Sequence, residues 1–356
     1  MRLQFVAAFA SISIWQWAFV HGFVPALTIS TTGSPAHTRA STKACVPLKL
    51  NLFDELFSNT SKTSNQKQYP KVCAPPDFVP PEPRPLTLTS SADLGAFLTA
   101  SAGLALRLGT GAFVLGWKLD SLSASDVNAD GTKQYSLKLG PLRIRDSSSV
   151  LDQADQPEQM LVLYDNDSSP RCKRVRELLN LLDITYEARP SFDIAQEPRL
   201  YDPNKDETIR DDNQIIEYLL GTYGPPPSTF DRKALWPIEF QAFSLATSQL
   251  AASLRGKPGT TKQANARPDN EEMQPLELWG YECSPFVKPV REKLCNLGLP
   301  HRIVSCARGS KNRDRMVEKT GRFQVPYIVD MNTGVEMYES PEIVQYLEDV
   351  YTVKNE

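Results

Sequence analysis

Leu278-Trp-Gly-Tyr-Glu-Cys-Ser-Pro-Phe-Val-Lys-Pro-Val-Arg-Glu292 decides the fold, because Leu163-Tyr-Asp-Asn-Asp-Ser-Ser-Pro-Arg-Cys-Lys-Arg-Val-Arg-Glu177 repeats it 115 positions upstream. Leu, Ser, Pro, Lys, Val, Arg and Glu coincide between the two stretches. A second pair of blocks follows in the same order, Gln196-Glu-Pro-Arg-Leu-Tyr-Asp-Pro-Asn204 against Gln324-Val-Pro-Tyr-Ile-Val-Asp-Met-Asn332, at an offset of 128 that runs ungapped to Tyr223 and Tyr351. Two ungapped blocks recurring in order are the mark of an internal repeat, with 13 residues fewer in the first copy.

Working outward, each copy reads as strand, helix, strand, variable segment, two strands and a helix. In the second copy Leu276–Tyr281 is a strand, and Ser284-Pro285 is an N-cap followed by the proline favoured at the first helical position. Val287, Val290, Leu294 and Leu297 then form one apolar helical face. His301–Ser305 is the next strand and Asn312–Lys319 a short helix. Tyr327–Asp330 and Val335–Tyr338 flank the turn Asn332-Thr333-Gly334 as a hairpin. Ser340-Pro341-Glu342 starts the last helix, again as cap, proline and early acid. The 13 residues absent from the first copy remove the short variable helix. The fold class is α/β, two thioredoxin-like βαβ-ββα modules in tandem at 159–224 and 275–354, joined by a helix-containing linker at 225–274.

This order, with Ser-Pro-Phe at a helix start, Val-Pro before a strand and Glu-Ser before the last helix, resembles the N-terminal domain of glutathione S-transferases and its glutaredoxin relatives. Ser305-Cys-Ala-Arg-Gly-Ser310, Phe323-Gln-Val-Pro-Tyr327 and Asp330-Met-Asn-Thr-Gly-Val335 look like the plant and algal plastid proteins that carry two such domains in tandem. The resemblance covers residues 75 to 353. It implies glutathione as ligand or co-substrate, a cis Val325-Pro326 bond with Val325 clamping the cysteinyl backbone, and Glu339 and Ser340 holding the γ-glutamyl group at a helix N-terminus. Ser284 stands where such transferases stabilise the glutathione thiolate. Capping alone would also select Ser284, Ser340 and their prolines. Cys283, one residue earlier, is a candidate reactive thiol if the helix N-terminus lowers its pKa. In the first copy Ser169, Cys172 and Pro198 form a degenerate version, with Glu197 in place of the clamp valine. Asp211-Asp212 there would repel a ligand carboxylate, so the first copy reads as structural.

The remaining sequence bounds the partners. A net charge of −3 over 356 residues, without a basic helix or zinc-finger spacing, argues against nucleic acid. Six cysteines without a C-x-x-C pair and three histidines argue against a metal site or a histidine-centred triad. Arg2 and the apolar run Phe5–Val20 read as a signal peptide, residues 1–22. The acid-free, Ser/Thr/Lys/Arg-containing stretch 23–53, opening Phe23-Val24-Pro25, reads as a plastid transit peptide, with plain secretion the alternative. The proline-rich stretch 54–90 reads as a disordered linker, and 91–150 as a small apolar helical and hairpin region. Within it, Leu94–Trp117 is expected as a buried or interfacial helical hairpin, because Arg107 interrupts any membrane span, leaving peripheral membrane contact through 94–117 open. Tyr135–Arg145 alternates around Gly140-Pro141 as a β-hairpin. Three functions fit: glutathione-dependent transfer or thiol exchange on protein thiols at Ser284 or Cys283, a non-catalytic glutathione, peptide or protein-binding module, or a membrane-surface scaffold. General conjugation of xenobiotics is not expected, because no all-helical domain follows within the chain.

Overall fold

The computed structural model describes residues 72–84, 91–122, 135–139, 142–193, 197–268 and 273–353. The signal and transit peptides read at 1–22 and 23–53 lie outside these residues. Helix α1 (Ser91–Leu106) and strands β1 (Trp117–Leu122), β2 (Leu137–Leu139) and β3 (Leu142–Ser148) come first. They are followed by β4 (Leu161–Asp165), α2 (Pro170–Leu181), β5 (Tyr186–Pro190), β6 (Arg199–Asp202), β7 (Glu207–Arg210) and α3 (Asp212–Thr222). Helices α4 (Trp236–Glu239) and α5 (Gln241–Leu254) lead into β8 (Leu276–Gly280), α6 (Val287–Leu297), β9 (His301–Ser305), α7 (Asn312–Thr320), β10 (Tyr327–Asp330), β11 (Val335–Tyr338) and α8 (Ser340–Tyr351).

Eight strands form one mixed sheet in the order β11-β10-β8-β9-β5-β4-β6-β7. Within each half the first two strands are parallel and the rest antiparallel. The halves meet where β5 pairs antiparallel with β9, in the register Tyr186↔Ile303, Glu187↔Arg302 and Ala188↔His301. Each of these strands would otherwise be a bare edge offering unpaired amides; joined, they make the core continuous, and Leu163 and Leu178 share one apolar cluster with Leu278 and Leu294. Each such fully buried leucine contributes about 1.5–3 kcal/mol relative to exposure.

Helix α7 shows what the 13-residue difference does. It covers the second face of the sheet in the C-terminal half, burying Trp279, Val304, Tyr327 and Val329 around Met316. The other half has no helix between β5 and β6 among the described residues, and Val162 and Tyr164 are only partly buried. Arg199 lies over the Tyr164 ring at 3.6 Å instead.

Two polar networks recur at the repeat offset. Asp202 accepts hydrogen bonds from the Tyr218 and Tyr223 hydroxyls, as Asp330 does from Tyr346 (2.6 Å) and Tyr351 (2.9 Å). Asn332 donates through its backbone N–H to Asp330 and through Nδ2 to the Gln274 carbonyl; Asn204 does the same to Asp202 and Gln159. Asp330 is fully buried, so its loss strands two phenols and an amide. Asp330→Ala will therefore lower the unfolding free energy by about 2–4 kcal/mol, seen as a reduced urea midpoint at unchanged m-value.

The repeat also extends further towards the N-terminus than the sequence comparison reached. Helices α1 and α5 are followed directly by Arg107 and Arg255, 148 positions apart. Arg107 pairs with Glu177 (2.6 Å) and donates to the Thr247 hydroxyl, and Arg255 pairs with Glu292 and donates to the Thr99 hydroxyl, both hydroxyl contacts at 3.1 Å. Gly111 (φ 88°) and Gly259 (φ 80°) follow at matching positions, and a Cβ on Gly259 would stand 2.9 Å from the Cys295 sulfur.

Two expectations change here. Residues 94–117 form one helix, a run of turns and the start of a strand, not a helical hairpin, because Arg107 has a carboxylate partner that draws it fully into the interior. Among the described residues no helix is long and apolar enough to cross a membrane. Residues 72–84, inside the stretch read as disordered, are extended and packed: Val72 joins the core and the Phe78 ring lies 5.1 Å from that of Tyr346. The hairpin expected at 135–145 is present as β2 and β3, with β1 as its third strand.

Candidate functional site

Ser284 precedes α6 and caps it, its hydroxyl accepting the Val287 N–H at 3.4 Å while its carbonyl accepts the Lys288 N–H at 3.1 Å. The regular helix begins at Val287, later than the Ser-Pro signal suggests, because Pro285 and Phe286 form a turn that feeds it. Ser284 is fully buried. Ser340, read as a second cap, is instead the first residue of α8; its hydroxyl donates to the Phe286 carbonyl at 2.6 Å and ties the two helix starts together. The preceding Glu339 has φ 74° and ψ 115° and accepts from Gln324 Nε2 at 2.8 Å. Gln324 adjoins Val325, and the Val325-Pro326 bond is cis. A chain of contacts thus runs from Ser284 and Phe286 through Ser340 and Glu339 to Gln324 and Val325. A non-glycine residue at positive φ is a costly conformation that concentrates at ligand sites.

One partner of this set was not visible as such in the sequence. The backbone N–H of Arg84 donates to Glu339 Oε1 at 2.8 Å, and its guanidinium pairs with Glu342. The Phe97 ring of α1 packs 5.3 Å from that of Phe286. The chain's own N-terminal segments therefore lie across the helix starts that the resemblance assigns to glutathione.

The thiols behave differently from the expectation for Cys283. It is buried, and desolvation pushes its pKa up, with Glu282 and Glu177 adding in the same direction against Lys173. Burial outweighs the helix N-terminus, so the thiolate needed for nucleophilic exchange is disfavoured at neutral pH. Cys172, Cys295 and Cys306 are likewise buried with raised pKa values. Cys172, Cys283, Cys295 and Cys306 are free thiols. No metal-ligating cluster occurs among the described residues.

The corresponding positions of the first half are arranged otherwise. Ser169 caps α2 through the Cys172 N–H at 3.3 Å, and the Glu197-Pro198 bond is cis. Asp211 has φ 71°, close to that of Glu339, and caps α3 through the Asn213 N–H at 3.0 Å. Its neighbour Asp212 is buried against Arg174, so the two acids are less repulsive than the bare sequence suggests. Ser169, Pro170, Arg171 and Glu197 line an open groove of about 650 Å³.

Between the halves lies a buried ionic cluster related by the repeat. Lys288 and Arg291 reach Asp167 at 2.7 and 2.6 Å, and the matching Lys173 and Arg176 reach Glu282 at 3.3 and 3.1 Å. Beside it, His301 is buried with Nδ1 2.9 Å from the Leu299 carbonyl. Burial and the charge of Arg291 push its pKa down to about 4. Because the unfolded chain binds this proton near pH 6.5 and the folded chain does not, His301 destabilises the fold progressively as pH falls from about 6.5 to about 4. His301→Phe should gain about 2–3 kcal/mol over the wild type across that interval, in chemical denaturation at several pH values. The comparison with wild type separates His301 from Asp183 and Glu197, whose pKa values, raised to about 7, act in the opposite sense.

Comparison with known families places one region. A family model described as glutathione S-transferase, N-terminal domain, matches residues 278–354. That match supports a thioredoxin-like domain of this type in the C-terminal half, in agreement with its strand order. No curated protein and no solved structure matches the chain.

Proposed function

We propose that the chain is a glutathione-binding protein of the thioredoxin fold, with its ligand site in the C-terminal half. The observation that carries this is the contact-linked set of Ser284, cis Val325-Pro326, Glu339 and Ser340 within the region that matches the family. Ser284, buried with its lone pair holding a backbone N–H, would donate its hydroxyl proton to a thiolate once the ligand displaces the segments lying over the helix starts. Val325 would clamp the cysteinyl backbone beside the cis bond. Glu339 would receive the γ-glutamyl ammonium, and the start of α8 would favour the neighbouring carboxylate. Transfer through thiolate stabilisation by Ser284 fits better than protein-thiol exchange, because a serine donates as a neutral hydroxyl whereas Cys283, with its raised pKa, would have to ionise. The N-terminal half, with the same strand order and its own cis-proline, is then a diverged copy of the same domain. Residues 1–53 would deliver the chain to a plastid, which a fluorescent fusion of that segment tests.

Calorimetric titration of the chain lacking residues 1–53 with reduced glutathione is the deciding measurement. Binding that weakens in Ser284→Ala and Glu339→Gln and persists in Cys283→Ser supports the reading. No heat at millimolar ligand sinks it.

A further inference from the structure

The open groove of the N-terminal half holds an acid with one unsatisfied oxygen. Glu197 is 5 % exposed, and its Oε1 is buried without a hydrogen-bond partner. Its Oε2 lies 4.0 Å from the Cys172 thiol, and the Ser191 side chain also hydrogen-bonds the carboxyl. Leaving a carboxylate oxygen desolvated and unpaired costs at least about 1–3 kcal/mol, and the residue sits in the wall of a groove of about 650 Å³, within the size range of small-molecule sites. We propose that this groove binds a primary ammonium group carried on a largely apolar stem, as on a lysyl side chain, with Glu197 as its counter-ion.

Four observations select this ligand. Asp165 and Asp193 stand near Glu197 and disfavour its charge, with the Ser191 hydrogen bond and, more weakly, Arg199 opposing them. Arg199 is engaged on the Tyr164 ring. The local field is therefore negative, which favours a cation over a neutral donor. Pro170, Leu245 and Ala246 supply apolar walls suited to an alkyl stem, and Ser169 and Gln249 are polar groups at the same groove. The Arg171 guanidinium at the groove is occupied by Asp211 and Asp212, so it neither holds a carboxylate nor repels the ammonium at full strength. With its charge disfavoured by burial first and then by the two aspartates, Glu197 is pushed up to about 7, and a bound ammonium would favour its ionised form.

The test is titration of the chain lacking residues 1–53 with Nα-acetyl-lysine amide, followed by calorimetry or NMR, with the Nε-acetylated compound as neutral comparator. The expected result is binding with a dissociation constant near 1 mM or below (about −4 kcal/mol), strengthening several-fold from about pH 6 to about pH 8 as Glu197 ionises while the amine stays charged. Glu197→Gln should weaken it at least about tenfold, the loss of one charge-assisted contact. Ala246→Trp, at an exposed position on the α5 wall, should abolish it without touching the buried acid. Equal binding of the acetylated compound, unchanged affinity in either variant, or no binding at about 20 mM would overturn the proposal. The probe and residues differ from those of the glutathione titration, so either reading can fail alone.

Discussion

Glu282→Ala will cost the fold about 3–5 kcal/mol, enough to lower the melting temperature by roughly 10 °C. Glu282 is 4 % exposed and lies against Lys173 and Arg176 from α2 and Arg291 from α6. Those three cations hold its carboxyl far below the ordinary range despite burial. Alanine would remove the carboxylate that Lys173, Arg176 and Arg291 share in the interior, leaving Arg176 with Asp165, while Asp167 is already committed to Lys288 and Arg291. The penalty comes from the stranded cations and not from the worth of the pair, since a buried ion pair replaced whole is often neutral. Combining Glu282→Leu with Arg176→Met should accordingly recover part of the loss, with a coupling of about 0.5–3 kcal/mol in a double-mutant cycle. Glu282→Gln should fall between the two, because it keeps hydrogen bonds and loses the charge. The stabilising effect of Glu282 persists above the unfolded carboxyl pKa near 4.3, so it should be read at neutral pH. Equal melting temperatures for Glu282→Ala and wild type would show that the cluster contributes nothing to docking of the halves.

This cluster was half legible in the chain itself. Lys, Arg and Glu recur at the repeat offset in both α2 and α6, a pattern that a solvent-facing helix has no reason to keep; yet a run such as Lys173-Arg-Val-Arg-Glu177 reads locally as a solvated face. It is buried only because a second copy of the same face meets it, a partner about a hundred residues away. Arg107 fails to declare itself for the same reason. Taken alone it is a charge interrupting an apolar run, whereas Glu177 makes it an interior residue that anchors α1. Three of the four strands of the C-terminal half were readable to the residue, His301–Ser305, Tyr327–Asp330 and Val335–Tyr338, and the first ends one residue early, at Gly280, because short-range alternation and turn chemistry are local. Composition misjudged residues 72–84: proline-rich chain lacks its own secondary structure, but Val72 and Phe78 have a core to enter. The candidate site divides likewise. The helix starts and cis-proline were visible as motifs, while the burial of Cys283 and Ser284, which governs their chemistry, depends on segments remote in sequence.

Arg84→Pro should tighten glutathione binding about tenfold, or about 1.4 kcal/mol. The wild-type Arg84 N–H donates to the Glu339 carboxylate and its guanidinium pairs with Glu342, so the segment satisfies the group to which the proposed ligand would bring its ammonium. A ligand must displace that contact, and its apparent affinity is reduced by the fraction of molecules in which Glu339 is free. Proline removes the N–H and the guanidinium in one substitution. It suits its place between Pro83 and Pro85, since the stretch is extended without regular structure and proline favours that backbone. Core contacts of Val72 and Phe78 lie upstream and are left intact, so the melting temperature without ligand should move little. Arg84→Ala separates the two effects: it keeps the N–H bond and loses only a largely exposed ion pair, worth about 0–1 kcal/mol, so its gain in affinity should be several-fold smaller. If both variants bind glutathione as the wild type does, Glu339 is not where the ligand's ammonium lands. If only the proline variant gains, the backbone contact is the part of the segment that competes for the site.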